Sequence, residues 1–230
     1  AAKVGGVPFG VAGRHGNALR LDGATGYLKT TGPVIDTTKS FSVSAWARLP
    51  ATKPDHAAII ATQIGGQRSG VELYYSAAYD RWIFNRYDTD AAGSTLTRAM
   101  ATSAPQGGEW AHLVGVYDGV ARNLKLYVNG VLQATTPFTA TPWHAAGPVL
   151  LGVGWYGGLG SYFPGEIDDV RIFDQAISES EIATLAGGAP LTITADDGPA
   201  GRHLTLYGDA AIDQGAGWVG TPPGGLVLDG

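Results

Sequence analysis

The sequence predicts an all-β protein, an antiparallel β-sandwich with one short helix towards its C-terminal end. Residues 41 to 49 alternate between apolar positions, beginning at Phe41, and mostly polar ones, which is typical of a strand with one buried face. Asn129-Gly130 lies between two apolar alternating runs, a pattern that favours a tight hairpin. The 35 glycines and 13 prolines favour frequent turns. A chain of 230 residues is long enough for one large sandwich.

The composition disfavours several classes of function. The net charge of -5 argues against nucleic-acid binding as a main role. The absence of cysteine removes disulfides, thiolate metal sites and cysteine nucleophiles. No apolar run approaches the length of a membrane span. The chain begins Ala1-Ala2-Lys3 without a signal-peptide pattern, so we expect a processed protein or an excised fragment.

The other strands follow from the same alternation of apolar and polar residues. Leu19 and Leu21 mark an opening strand, and the glycines of the turn at residues 22 to 26 tolerate positive φ. His112 has no second histidine at ligand spacing, which favours a structural, hydrogen-bonded role. The remaining predicted strands are 57–63, 71–75, 81–87, 95–101, 110–116, 124–128, 131–134 and 149–153.

Residues 165 to 174 form the strand around which the chain is organised. Ile167, Val170 and Ile172 alternate with charged neighbours, which predicts one buried face. Asp168 and Asp169 are adjacent, so pleating sends their carboxylates to opposite faces and one of them points inward. Burying an unpaired carboxylate is costly, and a bound cation is the usual partner.

A short helix follows this strand. Ser178 and Glu181 have the spacing of a capping box, and Ile177 and Ile182 that of a hydrophobic staple. Gly187 stands where the helix can end. The sequence predicts a structural helix of about two turns.

Four segments resemble one known family. Residues 165–178 resemble the closing motif of laminin-G-like jelly-roll domains, which belong to the concanavalin A-like lectin/glucanase superfamily. Residues 16–27, 41–47 and 109–130 resemble the opening strand, the next core strand and the central hairpin of these domains. The resemblance implies a concanavalin A-like jelly roll. It says little about the ligand, because one fold hosts many functions.

Three aspartates are candidate calcium ligands. Carboxylates beside glycine-rich turns supply the oxygen ligands that Ca²⁺ prefers, and the resemblance implies that Asp22 lies near Asp168 and Asp169. A structural calcium ion would then tie the opening strand to the closing strand. Two alternatives stay open: Asp22 caps its own turn, and the carboxylates form salt bridges, for example to Arg20 and Arg171.

The loop at residues 154 to 163 is long, glycine-rich and aromatic. Aromatic side chains on such a loop are candidates for stacking on a sugar face. The candidate ligand contacts are Trp155, Tyr156, Tyr162 and Trp82. The alternative is that the loop aromatics cover a sheet edge.

The carboxylate motif of a glycosidase is incomplete in this sequence. Retaining glucanases of the superfamily carry a nucleophile and an acid/base on one strand, and Glu166-Ile167-Asp168 matches the first half of that motif. The second glutamate is missing, because Asp169, Val170 and Arg171 occupy the positions that it could take. An arginine cannot donate a proton at neutral pH. We therefore assign no catalytic residues.

The chain divides into a laminin-G-like domain at residues 1–188 and a tail at 189–230. Residues 226–230 repeat the pattern of residues 19–23 almost residue for residue, which predicts a linker and the truncated start of a second, similar repeat. A strand at 204–207 is expected to pack on an empty edge of the first domain, in the same chain or from a neighbouring molecule.

These observations predict a non-catalytic extracellular recognition module within a larger protein. Its expected ligand is a carbohydrate, bound in a lectin-like manner, and calcium is its expected stabilising ion. The alternative is a structural spacer or protein-interaction module without a sugar site. The expected partners are a glycan or an extracellular protein and neighbouring repeats of the same chain. A secreted or cell-surface location follows from the resemblance alone.

Overall fold

The computed structural model describes residues 1–5, 9–187, 203–206 and 226–227. The only helix within them, α1, spans Glu179–Ala186. The strands, in chain order, are β1 (Ala2–Val4), β2 (Phe9–Ala12), β3 (Asn17–Asp22), β4 (Tyr27–Lys29), β5 (Phe41–Arg48), β6 (Ala58–Ile64), β7 (Ser69–Ser76), β8 (Arg81–Tyr87), β9 (Leu96–Met100), β10 (Trp110–Asp118), β11 (Asn123–Val128), β12 (Val131–Pro137), β13 (Val149–Leu151), β14 (Gly154–Trp155), β15 (Leu159–Gly160), β16 (Pro164–Phe173), β17 (His203–Leu206) and β18 (Leu226–Val227).

The strands form two large sheets. The seven-stranded sheet has the spatial order β1-β4-β13-β6-β7-β8-β9. The nine-stranded sheet has the order β12-β11-β10-β5-β16-β17-β18, with β3 beside β16 and β2 beside β3. The strand pairs are antiparallel except for β17 with β18. The predicted antiparallel sandwich with one short helix is therefore confirmed.

The hydrophobic core lies between the two sheets. Strand β5 points Phe41, Val43 and Ala45 into it, and each is at most 3% exposed. In the neighbouring β10, Gly115 has no room for a side chain, because a Cβ there would overlap the ring of Phe84 from the opposite sheet. The inner faces therefore interdigitate closely, and Arg86 of β8 is a charged side chain buried among the core rings of Phe41, Tyr117 and Phe138.

The predicted hairpin and helix are both present. Val128 pairs with Val131, and the two residues between them, Asn129 and Gly130, have φ of 51° and 78°, as a type I′ turn requires. Helix α1 begins with the predicted capping box at Ser178. Its buried face packs on the outer side of the nine-stranded sheet, against Val114, Val116, Tyr127 and Phe173.

Strand β16 pairs with strands that are far apart in the sequence. One of its edges pairs with β5. On the other edge, β3 pairs with the first half of β16, and the backbone of β17 pairs with Val170–Phe173. The tail strand was expected at residues 204–207, and the division of the chain into a first domain and a tail stays a prediction. The predicted second repeat rests mainly on residues 189–202, 207–225 and 228–230, which lie outside the described residues, and it stays a prediction.

Within the described residues, no helix has the length and apolar character that crossing a membrane requires.

Candidate functional site

The first predicted calcium ligand, Asp22, closes its own turn. Its Oδ1 accepts hydrogen bonds from the backbone amides of Ala24, Thr25 and Gly26 at 2.9, 2.9 and 3.2 Å, and its Oδ2 accepts one from the hydroxyl of Thr25 at 2.7 Å. These donors hold the pKa of Asp22 well below its ordinary value. The geometry is that of the turn-capping alternative.

A β-bulge separates the other two predicted ligands. Between Asp168 and Arg171, β16 has one residue more than β5, and Asp169 adopts a φ of 44°. The extra residue explains why both Ile167 and Val170 reach the core although they are three positions apart. The bulge also directs the two neighbouring carboxylates to different partners.

Each of these carboxylates is bound by protein groups. Asp168 accepts hydrogen bonds from the backbone amides of Asp169 and His15, both at 2.8 Å. Burial raises the pKa of Asp168, and backbone donors at His15, Asp169 and Arg14 lower it to a smaller extent. Asp169 forms a bidentate pair with the guanidinium of Arg171 at 2.8 and 2.9 Å. The pair is buried.

The three aspartates do not converge. Asp22 lies opposite Pro164, whereas Asp168 is four residues further along the same strand, a separation of roughly 13 Å at about 3.3 Å per residue. Among the described residues, no three or more histidine, aspartate and glutamate side chains are grouped as a metal site would require. The donor set does not fit one shared calcium ion, and calcium binding stays a prediction.

The predicted sugar-contacting aromatics lie in three different places. Trp155 ends strand β14 of the small sheet and donates its indole N–H to the carbonyl of Gly66 at 3.2 Å. Tyr156 lies in the turn between β14 and β15 and is 37% exposed. Tyr162 packs edge-on against Tyr27 with 6.4 Å between ring centroids.

Trp82 requires a correction. It is 2% exposed and lies in the core between the sheets, packed edge-on against Tyr75 at 5.9 Å. Strand β8 contains three consecutive apolar residues, Trp82 to Phe84, so alternation does not reveal which of them point inward. A ligand on the surface cannot reach Trp82.

Another polar cluster lies on the outer side of the seven-stranded sheet, which we call the Glu72 face. Its members are Glu72 on β7, Asn85 and Tyr87 on β8, and Tyr156 above them. Glu72 and Asn85 are direct cross-strand partners, 2% and 0% exposed. Tyr87 and Tyr156 are in edge-on contact, with ring centroids 6.4 Å apart.

Polar atoms of the Glu72 face are buried without partners. The side chains of Ser69, Asn85 and Tyr156 lie close enough to the Glu72 carboxyl to lower its pKa, but among the described residues none is aligned for a hydrogen bond to Oε1 of Glu72, and neither polar atom of the Asn85 side chain has an aligned partner. Such groups are rare in folded proteins, because each carries an uncompensated desolvation cost of about 1–3 kcal/mol. They therefore mark a place where the fold alone does not complete the hydrogen bonding.

Burial dominates the electrostatics of this face. It raises the pKa of Glu72 to about 7, and the nearby polar groups of Ser69, Asn85 and Tyr156 lower that pKa less than burial raises it. The pKa of Tyr87 rises to about 12 through burial and the charge of Glu72. A carboxyl that titrates near neutral pH in a polar cluster is characteristic of functional sites.

The turn bordering this face is fixed in place. Asp90 accepts hydrogen bonds from the backbone amides of Gly66, Gln67 and Arg68 at 2.7, 2.7 and 2.8 Å. The indole of Trp143 donates to the carbonyl of Tyr87 at 2.8 Å. The border is therefore formed before any ligand arrives.

Sequence reasoning missed Glu72 and Asn85. The alternation of Glu72 with Val71 and Leu73 places it on an outer face, where a charged residue is ordinarily solvated. What buries it is the segment around Tyr156, more than 80 positions away in the sequence. No local signal could have shown this.

The candidate glycosidase carboxylate has two cationic partners. Glu166 lies between Arg20 and Arg48, with Oε1 3.0 Å from a terminal nitrogen of Arg20 and Oε2 3.0 Å from Nε of Arg48. A carboxylate held in this way ties β3 and β5 to β16. The absence of catalytic residues stays a prediction.

Three solved structures are similar to this chain in fold. Domain 4 of AbnA, an extracellular GH43 arabinanase from Geobacillus stearothermophilus solved with arabinotriose, is 20% identical with a TM-score of 0.64, over 79% of this chain and 82% of that one. The binding domain of botulinum neurotoxin serotype G is 14% identical with a TM-score of 0.61, over 81% of this chain and 46% of that one. A heptameric SAP-like pentraxin from Limulus polyphemus is 17% identical with a TM-score of 0.54, over 70% of this chain and 75% of that one.

These identities show the fold alone. No curated protein sequence matches the chain significantly. A family model described as the concanavalin A-like lectin/glucanases superfamily matches residues 22–183, which is more than half of the chain and includes three of the four resembling segments in large part. The chain belongs to the concanavalin A-like lectin/glucanases superfamily.

Proposed function

We propose that this chain is a non-catalytic carbohydrate-binding module and that its ligand binds the Glu72 face. The observation that carries the proposal is the set of buried polar atoms without partners on Glu72 and Asn85, lying beneath the partly exposed ring of Tyr156. Sugar hydroxyls both donate and accept hydrogen bonds. Because Glu72 and Asn85 are 2% and 0% exposed, a saccharide reaches the carboxyl and the amide only when the segment around Tyr156 moves aside, and it could then satisfy both.

The aromatic rings supply the second requirement. Sugar rings present apolar C–H faces, which pack favourably on aromatic side chains. Tyr156 is 37% exposed, and Tyr87 next to it is half-buried. Aromatic contact above and polar contact below is the combination that orients a saccharide.

The rigid border lowers the entropic cost of binding. Asp90 fixes the 66–68 turn through three backbone amides, and Gly65 has no space for a side chain, since a Cβ would lie 2.7 Å from both Asp90 and Trp143. A surface ordered in advance loses less conformational freedom when a ligand binds.

One of the similar structures is compatible with this proposal. Domain 4 of AbnA was solved with arabinotriose and is one domain of an extracellular enzyme. By analogy of fold, we place this module outside the cell, as one part of a larger protein. This analogy supports the ligand class and not a particular sugar.

Isothermal titration against arabinotriose and a panel of neutral and acidic oligosaccharides tests the function. We expect binding of at least one sugar, weakened about tenfold or more by Tyr156→Ala and by Asn85→Leu. Asn85→Leu removes the unpartnered amide at similar volume, so we expect no loss of thermal stability.

Tyr162→Ala is the matched control, because Tyr162 is an aromatic residue of the same segment that packs against Tyr27 instead. It should bind like the unaltered chain. A panel without any bound sugar, or equal affinities for all variants, would contradict the proposal and favour the structural-spacer alternative.

A further inference from the structure

The β14–β15 hairpin, residues 154–160, covers the Glu72 face. Tyr156 in its turn makes edge-on contact with Tyr87, with 6.4 Å between the ring centroids. Burial, and then the charge of Glu72, raise the pKa of Tyr156 above its ordinary value, which places the phenol close to the carboxyl. Because Glu72 is only 2% exposed beneath this ring, a ligand reaches the carboxyl only when the hairpin moves.

The base of this hairpin is fixed in the fold. Phe163 is buried in the main core, and its backbone amide donates to the carbonyl of Gly152 at 2.9 Å. Between these two residues, β14 and β15 pair through two residues each. A Cβ at Gly158 or Gly160 would lie within 4 Å of no heavy atom of the described residues beyond its chain neighbours. The hairpin therefore projects into open space and can swing on its base without disturbing the main core.

The contacts that close the hairpin onto the sheet are weak. Trp155 donates its indole N–H to the carbonyl of Gly66 at 3.2 Å and accepts a hydrogen bond from the hydroxyl of Ser69 at 3.2 Å. The amide of Ile59 donates to the carbonyl of Ser161 at 3.1 Å. These distances lie near the long end of the hydrogen-bond range, and Ile59 belongs to a small apolar cluster separate from the main core. A segment held in this way opens at a lower free energy than the core does.

The charged groups near Glu72 do not compensate for its burial, which raises its pKa to about 7. Arg68, just before β7, lowers this pKa, but its charge also acts on Asp90, whose carboxylate accepts the Arg68 amide at 2.8 Å. Arg98 on β9 lies one strand further away, opposite Asn85. Burial also raises the pKa of the tyrosines around Glu72, so they stay uncharged at neutral pH: Tyr74, Tyr87 and Tyr156.

We infer that the β14–β15 hairpin is a lid that opens when Glu72 ionises and so admits the saccharide to the Glu72 face. The inference rests on the function proposed above and adds its regulation. Under the closed lid an ionised carboxylate is shielded from water, whereas the open lid lets water solvate it. Ionisation therefore favours the open state, because the carboxylate interacts differently with its surroundings in the two states.

The sign and size of this coupling follow from two protonation equilibria. Under the closed lid the pKa of Glu72 is about 7, and under the open lid it returns towards its ordinary value of 4.5. The lid is therefore most firmly closed below about pH 4.5, and its opening becomes easier as the pH rises to about 7. A pKa difference of about 2.5 limits the total change in the open-to-closed ratio to about 300-fold.

Hydrogen exchange of the full chain between pH 5 and 8 tests the lid, after correction for the intrinsic exchange rate at each pH. The reporters are the amide of Ile59 and the indole N–H of Trp155, since both bond across the gap between hairpin and sheet. We expect their protection to fall at least about tenfold over this range. Glu72→Gln cannot ionise, so its protection should stay constant. The amides of β5 report unfolding of the whole sandwich and should be better protected than both reporters at every pH.

A second variant loosens the lid without touching Glu72. Trp155→Phe keeps an aromatic ring and removes the bond to Gly66, so the protection of Ile59 should fall about fivefold at each pH and keep its pH dependence. Trp143→Phe is the matched control, because it loses an indole bond of the same kind, to the carbonyl of Tyr87 at 2.8 Å, outside the hairpin. That variant should leave the protection of Ile59 unchanged.

The possible failures are distinguishable, because the exchange measurement needs no sugar. Protection that does not change with pH, or that changes equally in Glu72→Gln, overturns the inference. Reporters as well protected as β5 also overturn it, because the hairpin then opens only with the whole sandwich. If a sugar of the panel binds with the same affinity at pH 5 and pH 8, the lid does not control access and the proposed function stands. If the lid responds as expected and no sugar binds, the proposed function is overturned.

Discussion

The outer faces of the two sheets bind their buried carboxyl groups in opposite ways, although the nine-stranded sheet also has two buried nitrogen atoms without partners, Nε1 of Trp46 and Nδ1 of His112. On the nine-stranded sheet, Asp168, Asp169 and Glu166 all have backbone or arginine partners. On the seven-stranded sheet, Glu72 and Asn85 have polar atoms without partners. A satisfied group gains its stabilisation from the fold, whereas an unsatisfied one costs stability until a ligand arrives. Buried carboxylates with protein partners therefore indicate links between strands, whereas polar atoms without partners indicate a binding surface.

This difference in hydrogen bonding agrees with the strands that surround each of the two regions. Strand β16 is bordered by β3, β5 and β17, so its polar side chains link segments that are far apart in sequence. Strands β7 and β8 form a simple hairpin, and the cover above them comes from the short β14–β15 sheet. A surface under a small, separate sheet is the easier of the two to open to a ligand.

The largest expected effect is the loss of the buried ion pair between Asp169 and Arg171. Arg171→Met leaves the carboxylate of Asp169 buried without its bidentate partner, and we expect a loss of about 3–5 kcal/mol in the free energy of unfolding. Urea denaturation measures this loss. Arg20→Met is the control, because Arg20 is 54% exposed and Glu166 keeps Arg48, so its cost should stay below about 1 kcal/mol. If both variants lost the same free energy of unfolding, the buried Asp169–Arg171 pair would contribute no more to stability than the partly exposed Arg20–Glu166 pair, which would contradict the comparison.

The next effect is a dependence on pH that comes from the Glu72 face. Folding raises the pKa of Glu72 from 4.5 to about 7, so the folded state favours the protonated carboxyl. This contribution to stability is fully present below about pH 4.5 and is lost as the pH rises through about 7. The total is about 3 kcal/mol, at about 1.4 kcal/mol per pKa unit.

Glu72→Gln removes this titration and keeps the shape of the side chain. Relative to the variant, the unaltered chain should lose about 3 kcal/mol in the free energy of unfolding between pH 4.5 and 8. Denaturation curves of both proteins at several pH values measure the difference. If the two stability profiles run parallel, Glu72 is not the buried, poorly solvated carboxyl that the comparison requires.

Local patterns were enough to predict most of the fold. The alternation that starts at Phe41, the Asn129-Gly130 turn and the capping box at Ser178 each depend on residues within a few positions of one another. Each is found where it was predicted. The resemblance to jelly-roll domains joined these elements into one architecture.

The candidate site could not be predicted in the same way. Glu72 is buried by the segment around Tyr156, and Asp22 is separated from Asp168 by the register of β3 against β16. Both facts depend on contacts between distant segments. The inward direction of Trp82 could not be predicted for a different reason. Consecutive apolar residues carry no period that shows which of them face the core.

The smallest expected effect concerns metal removal. Because the carboxylates of Asp22, Asp168 and Asp169 already have protein partners and do not converge, we expect EDTA to leave the melting temperature unchanged. An ion that binds the native state would raise that temperature by mass action, so chelation would lower it and added Ca²⁺ would restore it. Such a restored decrease would support the calcium prediction and show that the chain binds the ion through a donor set other than these three side chains together. Asp22→Ala then separates the remaining cases: it should abolish the calcium response if the ion uses the opening turn and leave it intact if the ion binds elsewhere.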